Sequence, residues 1–140
     1  MIKYFVFLLA VTIISCSSSD SNKPITGEYK SDSPAKALQY ISSKPYVTGS
    51  SLNLLENNQF EIQTCGNIGK GNWKVTGDSL YLYYEEMRLK IDSLNYDPKY
   101  KIDPIDNDTY DVYFINGNTL SREIKLKNGK VAKDRLKKTE

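Results

Sequence analysis

Hydrophobic and polar residues alternate along most of the chain after residue 24, with the two-residue period of β-strands. For example, Phe60 and Ile62 alternate with Glu61 and Gln63, so this segment has one apolar face and one polar face. The pattern predicts strands over residues 25–30, 51–56, 59–64, 72–76, 79–84, 88–92, 109–115, 119–126 and 130–136.

Short polar turns separate these strands. Asn57-Asn58 and Asn116-Gly117-Asn118 join adjacent strands, and both residue types tolerate the positive φ of tight hairpin turns. Gly77-Asp78 and Asn128-Gly129 provide two further turns. Roughly eight or nine short strands spaced in this way predict a mainly β fold, an antiparallel meander that forms a small barrel.

One short helix is predicted near residues 33–42. Ser33 is a favourable helix cap and Pro34 suits the first helical position. Leu38 and Ile41 then fall on one face of the helix.

The first fifteen residues have the organisation of an export signal. Lys3 is followed by residues 5–14, an apolar run of ten residues that is too short to span a bilayer. The tetrapeptide Ile13-Ile14-Ser15-Cys16 resembles the bacterial lipobox. This resemblance implies that residues 1–15 are removed as a lipoprotein signal peptide and that Cys16 receives the lipid. The alternative is an ordinary secretory signal with an incidental cysteine.

Residues 16–24 are polar and predict a flexible tether that attaches a single β domain, residues 25–138, to the membrane. Ser17 follows the cysteine directly. Under the sorting rule for bacterial lipoproteins, aspartate at this position retains the protein in the inner membrane, so Ser17 predicts the outer membrane. Asp20 is the single acidic residue of the tether, which favours the periplasmic face over export to the surface.

The first half of the domain carries motifs of a known group. An early Gly27-Glu28-Tyr29, a hairpin from Leu52 to Phe60, and Gly71-Asn72-Trp73 followed by Gly77-Asp78-Ser79-Leu80 resemble small bacterial lipocalin-like lipoproteins. The similarity covers residues 25–84 and implies a lipocalin-like β-barrel. Its motifs are structural and bring no catalytic residue with them.

Composition excludes several classes of function. The net charge is +2, which is too small for a nucleic-acid-binding face. The chain has no histidine, which excludes Ser-His-Asp and Cys-His catalysis and removes the usual zinc ligands. Cys16 and Cys65 are the two cysteines, so acylation of Cys16 leaves no intramolecular disulfide. We expect no metal, no cofactor and no enzymatic activity.

Tyrosine is abundant, with 11 residues, and tyrosine combines a flat apolar face with a polar tip. We predict that Tyr81, Tyr83 and Tyr113 face outward or line the barrel rim and contact a ligand. The alternative is that tyrosine is simply a favoured strand residue. Trp73 is predicted to mark the core.

Other features have two interpretations each. Cys65, in a glycine-rich loop, is either a reactive thiol or, as we favour, a small buried residue. Glu85 and Glu86 are predicted on opposite faces of a strand, which argues against a catalytic carboxylate pair. The basic residues within 122–138 are predicted to form a solvent face, with attraction to anionic headgroups as the alternative.

Two functions follow from these expectations. The first is a membrane-anchored, non-catalytic binding module for a small apolar or amphipathic ligand. The second is a structural or interaction lipoprotein of the cell envelope, an accessory subunit or inhibitor with a filled barrel and an envelope protein as partner. A cavity beside Trp73 would favour the first function.

Overall fold

Eight antiparallel strands follow one another along the chain, and each pairs with the next in the computed structural model. Pairing of the first strand with the last, for instance Tyr29 with Lys138, closes the sheet into a barrel. The structure describes residues 24–32, 47–102, 104–106 and 108–140. The strands are β1 (Gly27–Ser31), β2 (Ser51–Leu54), β3 (Gln59–Gln63), β4 (Asn67–Thr76), β5 (Ser79–Leu89), β6 (Tyr110–Asn116), β7 (Thr119–Lys125) and β8 (Val131–Lys138).

The predicted mainly β meander and its closure into a barrel are confirmed. Within the described residues, the helices are two short 3₁₀ segments between β5 and β6, Asp92–Tyr96 and Pro98–Tyr100. The helix predicted near residues 33–42 lies outside the described residues. None of the helices in the described part of the chain is long and apolar enough to cross a membrane.

The predicted hairpin turns are confirmed, including Asn128-Gly129 between β7 and β8, where Gly129 has a φ of 78°. Asn58, between β2 and β3, has a φ of 61°, and Gly77 and Gly117 have φ values of 59° and 58° between β4 and β5 and between β6 and β7. These left-handed conformations match the twist of the adjoining strands, which explains the choice of Asn and Gly.

The glycine-rich segment after Thr64 is mostly strand, not loop, because β4 begins at Asn67. A Cβ atom on Gly71 would lie 1.9 Å from the backbone oxygen of Tyr83, and one on Gly69 would lie 2.6 Å from the ring of Tyr84. The prediction was wrong because glycine serves here to admit close packing against β5, which the sequence pattern does not distinguish from loop flexibility.

β5 is one continuous strand where the sequence predicted two. Lys70 of β4 pairs with Glu86. The next residue, Gly71, pairs with Tyr84, which leaves Glu85 as the extra residue of a β-bulge. The bulge interrupts the alternation of apolar and polar residues along β5, so the sequence pattern predicted two strands there. It also leaves Glu85 and Glu86 both exposed, whereas the sequence predicted opposite faces.

The interior of the barrel is filled by side chains from alternate strand positions, as is common for eight strands. Phe60 and Tyr84 meet edge to face at its centre, with ring centroids 5.2 Å apart. The buried hydrophobic residues are Tyr29, Leu52, Leu54, Phe60, Ile62, Leu80, Leu82, Tyr84, Tyr113, Leu120, Ala132 and Leu136.

Trp73, predicted as a core residue, is half-buried and packs against this core from its edge. Its indole Nε1 donates a hydrogen bond of 3.1 Å to the carbonyl oxygen of Leu55, and its backbone nitrogen donates to Asn58. The indole therefore covers one end of the barrel beside the β2–β3 turn, because leucine and tyrosine side chains already occupy the centre.

The pairing of β6 with β7 is shorter than either strand. Three residue pairs join them, ending at Phe114 with Ser121, whereas seven pairs join β7 to β8. Beyond Phe114, residues 110–113 of β6 and 122–125 of β7 are not in register with each other, and we call this interval the β6–β7 seam.

Candidate functional site

Charged side chains close the seam from inside the barrel. Arg122 of β7 forms ion pairs with Asp111 of β6 and with Asp134 of β8, the latter at 3.0 Å between Nε and Oδ2. Its guanidinium carbon also lies 4.5 Å from the ring centroid of Tyr113, a cation–π geometry. Side chains thus hold β6 and β7 together where the backbone ladder ends.

Two tyrosine hydroxyls complete this cluster. Tyr84 donates to Asp111 at 2.6 Å, and Tyr113 donates to Asp134 at 2.7 Å. Asp134 is 1% exposed, and its Oδ1 has no hydrogen-bond partner among the described protein atoms. The other charged groups of this cluster have their partners within the protein. We therefore assign the cluster a structural role.

Burial and the neighbouring charges shift the pKa values of three groups in the cluster. Desolvation raises the pKa of the Tyr84 hydroxyl well above its usual value, and the adjacent Asp111 raises it further. Desolvation likewise raises the pKa of Tyr113, with Asp134 acting in the same direction. For Arg122, desolvation alone lowers the pKa, but Tyr113 and the two aspartates outweigh it and the net shift is upward.

Sequence reasoning missed this cluster, because it assigned the basic residues of 122–138 to a solvent face. Lys133 and Arg135 are exposed as predicted, but Arg122 points inward. The signal was the alternation itself. Leu120, Arg122 and Ile124 share one face of β7, so the arginine lies on the apolar side.

A row of apolar side chains lies on the outside of β5 and β6. Tyr83, Tyr110 and Phe114 are 39%, 49% and 53% exposed, and Val112 and Tyr81 lie between them on the same face. We call these five residues the aromatic strip. Four of them are exposed and Tyr81 is half-buried, on two neighbouring strands, and such a patch is a candidate interaction surface.

The three tyrosines of the aromatic strip contact one another. The rings of Tyr81 and Tyr83 are stacked, with centroids 6.3 Å apart and planes inclined by 15°. The ring of Tyr110 lies 6.0 Å from Tyr81 and 5.6 Å from Tyr83. Because the rings support one another, they form a preorganised surface with little side-chain entropy left to lose on binding.

Of the predicted ligand residues, Tyr81 and Tyr83 lie on the outer face, and the orientation predicted for Tyr113 was wrong. Tyr113 is 0% exposed. It shares the inner face of β6 with Asp111 and Ile115, which their alternation requires once Asp111 turns toward Arg122. Tyr110, which pairs with Tyr83 on the neighbouring strand, is the tyrosine of β6 that lies on the outer face.

A groove of about 580 Å³ adjoins the aromatic strip along β6, β7 and β8, and it reaches Arg122 and Asp134 of the inner cluster. Phe114 forms one wall, and Lys133 and Arg135 lie on the other side. Its remaining lining is polar and comes from Asn116, Thr119, Ser121, Arg122, Glu123 and Asp134. The groove therefore joins an aromatic surface to a polar, partly basic one.

Cys65 is not part of this surface. Cys16 lies outside the described residues. Cys65 is exposed, and its Sγ approaches the carbonyl oxygen of Thr48 at 3.4 Å. The favoured interpretation of Cys65 as a buried residue was wrong, because the segment before β4 turns at the surface.

Comparisons of this chain with protein-family models, with curated proteins and with solved structures find no match. Across the described residues, no three histidine, cysteine or acidic side chains come together as a metal site would require. The aromatic strip and its groove are therefore interpreted from their own chemistry.

Proposed function

We propose that the protein is a non-catalytic binding protein of the bacterial cell envelope, anchored to the outer membrane through Cys16 and facing the periplasm. In this proposal it is a lipocalin-like lipoprotein that takes an amphipathic ligand on the aromatic strip, outside the barrel.

One observation carries this proposal. On β6 the outer face carries Tyr110, Val112 and Phe114, while the carboxylate of Asp111 lies on the inner face with Tyr113 and Ile115. Placing a carboxylate inside while these apolar side chains are exposed costs stability. A partner that covers the exposed face accounts for this arrangement.

We assign the ligand to the outer surface because the interior is already occupied. Leu52, Leu80 and Leu120 are 0% exposed, and the Arg122 cluster fills the space between β6, β7 and β8. A filled barrel also favours the second candidate, an interaction lipoprotein. The same strip suits a protein partner, since Tyr and Phe are enriched in protein interfaces.

The test is to map binding by NMR on protein produced without residues 1–16, because residues 24–140 contain every strand and the buried core. Decanoate and lysophosphatidylcholine, below their micelle concentrations, should shift the backbone amides of residues 81, 83, 110, 112 and 114. The double variant Tyr83→Ser/Tyr110→Ser should lose these shifts.

The matched control is Tyr96→Ser/Tyr100→Ser, which removes two exposed tyrosines from the 3₁₀ segments. It should bind as the unmodified protein does. Shifts confined to interior positions such as 52 and 120 would contradict the outer site, and the absence of shifts with both probes would favour the protein partner.

A further inference from the structure

We infer that the ligand of the aromatic strip is the surface of an anionic bilayer, the membrane to which the chain is itself tethered. This inference rests on the proposed function and names the partner of the same site. It follows from where the chain enters the barrel, from the charges that flank the strip, and from the residue types in the strip.

The chain enters the barrel at the end of the strip. Pro24 and Ile25 line one pocket together with Asp78 of the β4–β5 turn and Gly117 and Asn118 of the β6–β7 turn. These two turns bound the upper end of β5 and β6, the strands that carry the strip. The attachment point therefore lies at the end of the barrel where the strip begins, at Phe114, which pairs with Ser79 next to the β4–β5 turn.

The tether is short enough to keep this face near the bilayer. Eight residues, 17–24, separate Cys16 from the barrel, and they reach at most about 28 Å. The strip itself extends over residues 110–114 of β6, a length of about 13 Å along the strand. A lipid on Cys16 thus allows the whole strip to reach the headgroups.

Positive charges flank the strip on both sides. Lys74 of β4 pairs with Tyr81 and is exposed, and Lys125 of β7 is exposed across the β6–β7 seam. Lys133 and Arg135 follow on β8 at the far side of the groove. Anionic headgroups attract basic side chains at this distance from the surface.

Three carboxylates reduce this charge without cancelling it, and one of them is Glu85, which accepts a hydrogen bond from Asn72 beside Tyr83. Glu123 stands opposite Lys133 in the β7–β8 ladder. Asp32 pairs with Arg135 at 3.2 Å, but the two side chains are 36% and 51% exposed, so solvent weakens the pair. Lys74 and Lys125 have no acidic partner in the described ion pairs, and their long side chains can reach past the tyrosine rings toward the headgroups.

The residue types of the strip suit a membrane interface. Tyrosine concentrates at the level of the headgroups, where the ring meets hydrocarbon and the hydroxyl remains in water. Val112 and Phe114 add apolar contact without a polar tip. The predicted lipid on Cys16 has at least two chains and holds the protein at the membrane by itself, so a surface contact of this kind would serve to orient the domain.

The experiment measures flotation with vesicles, using the protein without residues 1–16 so that no lipid anchor contributes. The protein should float with vesicles of phosphatidylcholine mixed with phosphatidylglycerol, about tenfold more strongly than with phosphatidylcholine alone. Raising the salt concentration should weaken the anionic preference, since exposed charges are screened.

Two pairs of matched variants locate the contact. Tyr83→Ser/Tyr110→Ser should reduce partitioning by about tenfold, whereas Tyr96→Ser/Tyr100→Ser should leave it unchanged. Lys74→Gln/Lys125→Gln should remove the preference for phosphatidylglycerol, whereas Lys30→Gln/Lys90→Gln, away from the strip, should retain it. Circular dichroism checks that every variant is folded.

The outcomes separate this inference from the proposed function. Amide shifts with lysophosphatidylcholine at the strip, without flotation, would overturn the bilayer as ligand and leave the binding site in place. Equal loss of flotation in the Tyr96 and Tyr83 variants would move the contact away from the strip and overturn the inference. If the protein shows no amide shifts and does not float, the inference is overturned and an amphipathic ligand is also disfavoured.

Discussion

A single arginine, Arg122, connects two strands at the point where their backbone hydrogen bonding ends. Its side chain is 16% exposed, and its partner Asp134 is almost completely buried. Removing one member of a buried ion pair leaves the other charge uncompensated, which costs more than the pair itself contributes. The seam therefore depends on the complete cluster.

We expect Arg122→Met to destabilise the protein by roughly 3–5 kcal/mol, because Asp134 loses the cationic partner that it has among the described residues. Urea denaturation followed by circular dichroism measures this change. The matched control is Arg135→Met, whose pair with Asp32 is exposed and should contribute less than about 1 kcal/mol. Similar midpoints for the two variants would show that the seam does not need the arginine.

The buried tyrosines make stability depend on alkaline pH. Burial raises the pKa of Tyr29, Tyr84 and Tyr113 above the ordinary value of 10.0. Each hydroxyl holds its proton more tightly in the folded state, so its stabilising contribution is complete below the unfolded pKa. That contribution is lost as the pH rises above about 10, where the unfolded chain releases protons first.

Unfolding free energies measured between pH 8 and about 11.5 should therefore fall steadily above pH 10. Tyr84→Phe should reduce this slope, because one proton fewer is retained by the folded state. Tyr96→Phe, at a fully exposed tyrosine, serves as the comparison. An identical slope in both variants would remove the buried hydroxyl as the cause.

At the scale of the strand, β4 and β5 fit together through glycine and a bulge. Gly71 allows the backbone of β5 to approach closely beside the bulge at Glu85. The clash that a methyl group would cause is with a backbone oxygen, so no side-chain rotation relieves it. The two longest strands therefore depend on positions that have no side chain.

Gly71→Ala should destabilise the protein by about 3 kcal/mol or more, the upper end for overpacking, because the Tyr83 carbonyl must move. Gly66→Ala is the matched control, since a Cβ atom there has no neighbour within 4 Å and no positive φ to accommodate. Thermal denaturation compares the two. A mild effect at Gly71 would show that β5 can shift at the bulge.

At the scale of the whole molecule, the barrel has its binding chemistry on the outside. Its interior is occupied by hydrophobic side chains and the Arg122 cluster, while the aromatic strip and the groove share one outer face. A binding surface on the outer side of a closed barrel can contact a flat partner, whereas an internal cavity cannot. In the proposed function, attachment at the end of the barrel where that face begins would let the lipid anchor orient the domain.

The last prediction concerns the lipid modification of Cys16. Mature protein purified from membranes should begin at Cys16 and carry the mass of a diacylglycerol thioether, with or without an amide-linked acyl chain. Cys16→Ser should abolish both the modification and cleavage at residue 15, since the lipid is attached through the thiol. Intact-mass spectrometry measures both results, and an unmodified thiol or a different first residue would contradict the lipobox.

The sequence alone determined the alternation of strands and turns along most of the barrel, although it divided β5 into two predicted strands. Alternation and turn chemistry are local properties, so Phe60 with Ile62 and the turns at Asn58 and Gly117 were predicted correctly. A local pattern could not show the bulge at Glu85. This extra residue shifts every following position of β5 to the other face.

Only the tertiary structure decided which face of β6 points inward. Alternation separates Tyr110 and Val112 from Asp111 and Tyr113 but does not say which pair is buried. The more apolar pair is outside, because Arg122 arrives from β7 and holds Asp111 and Tyr113 within the barrel. That choice depends on strand register and closure, contacts between residues far apart in the chain, and the same contacts leave the aromatic strip exposed.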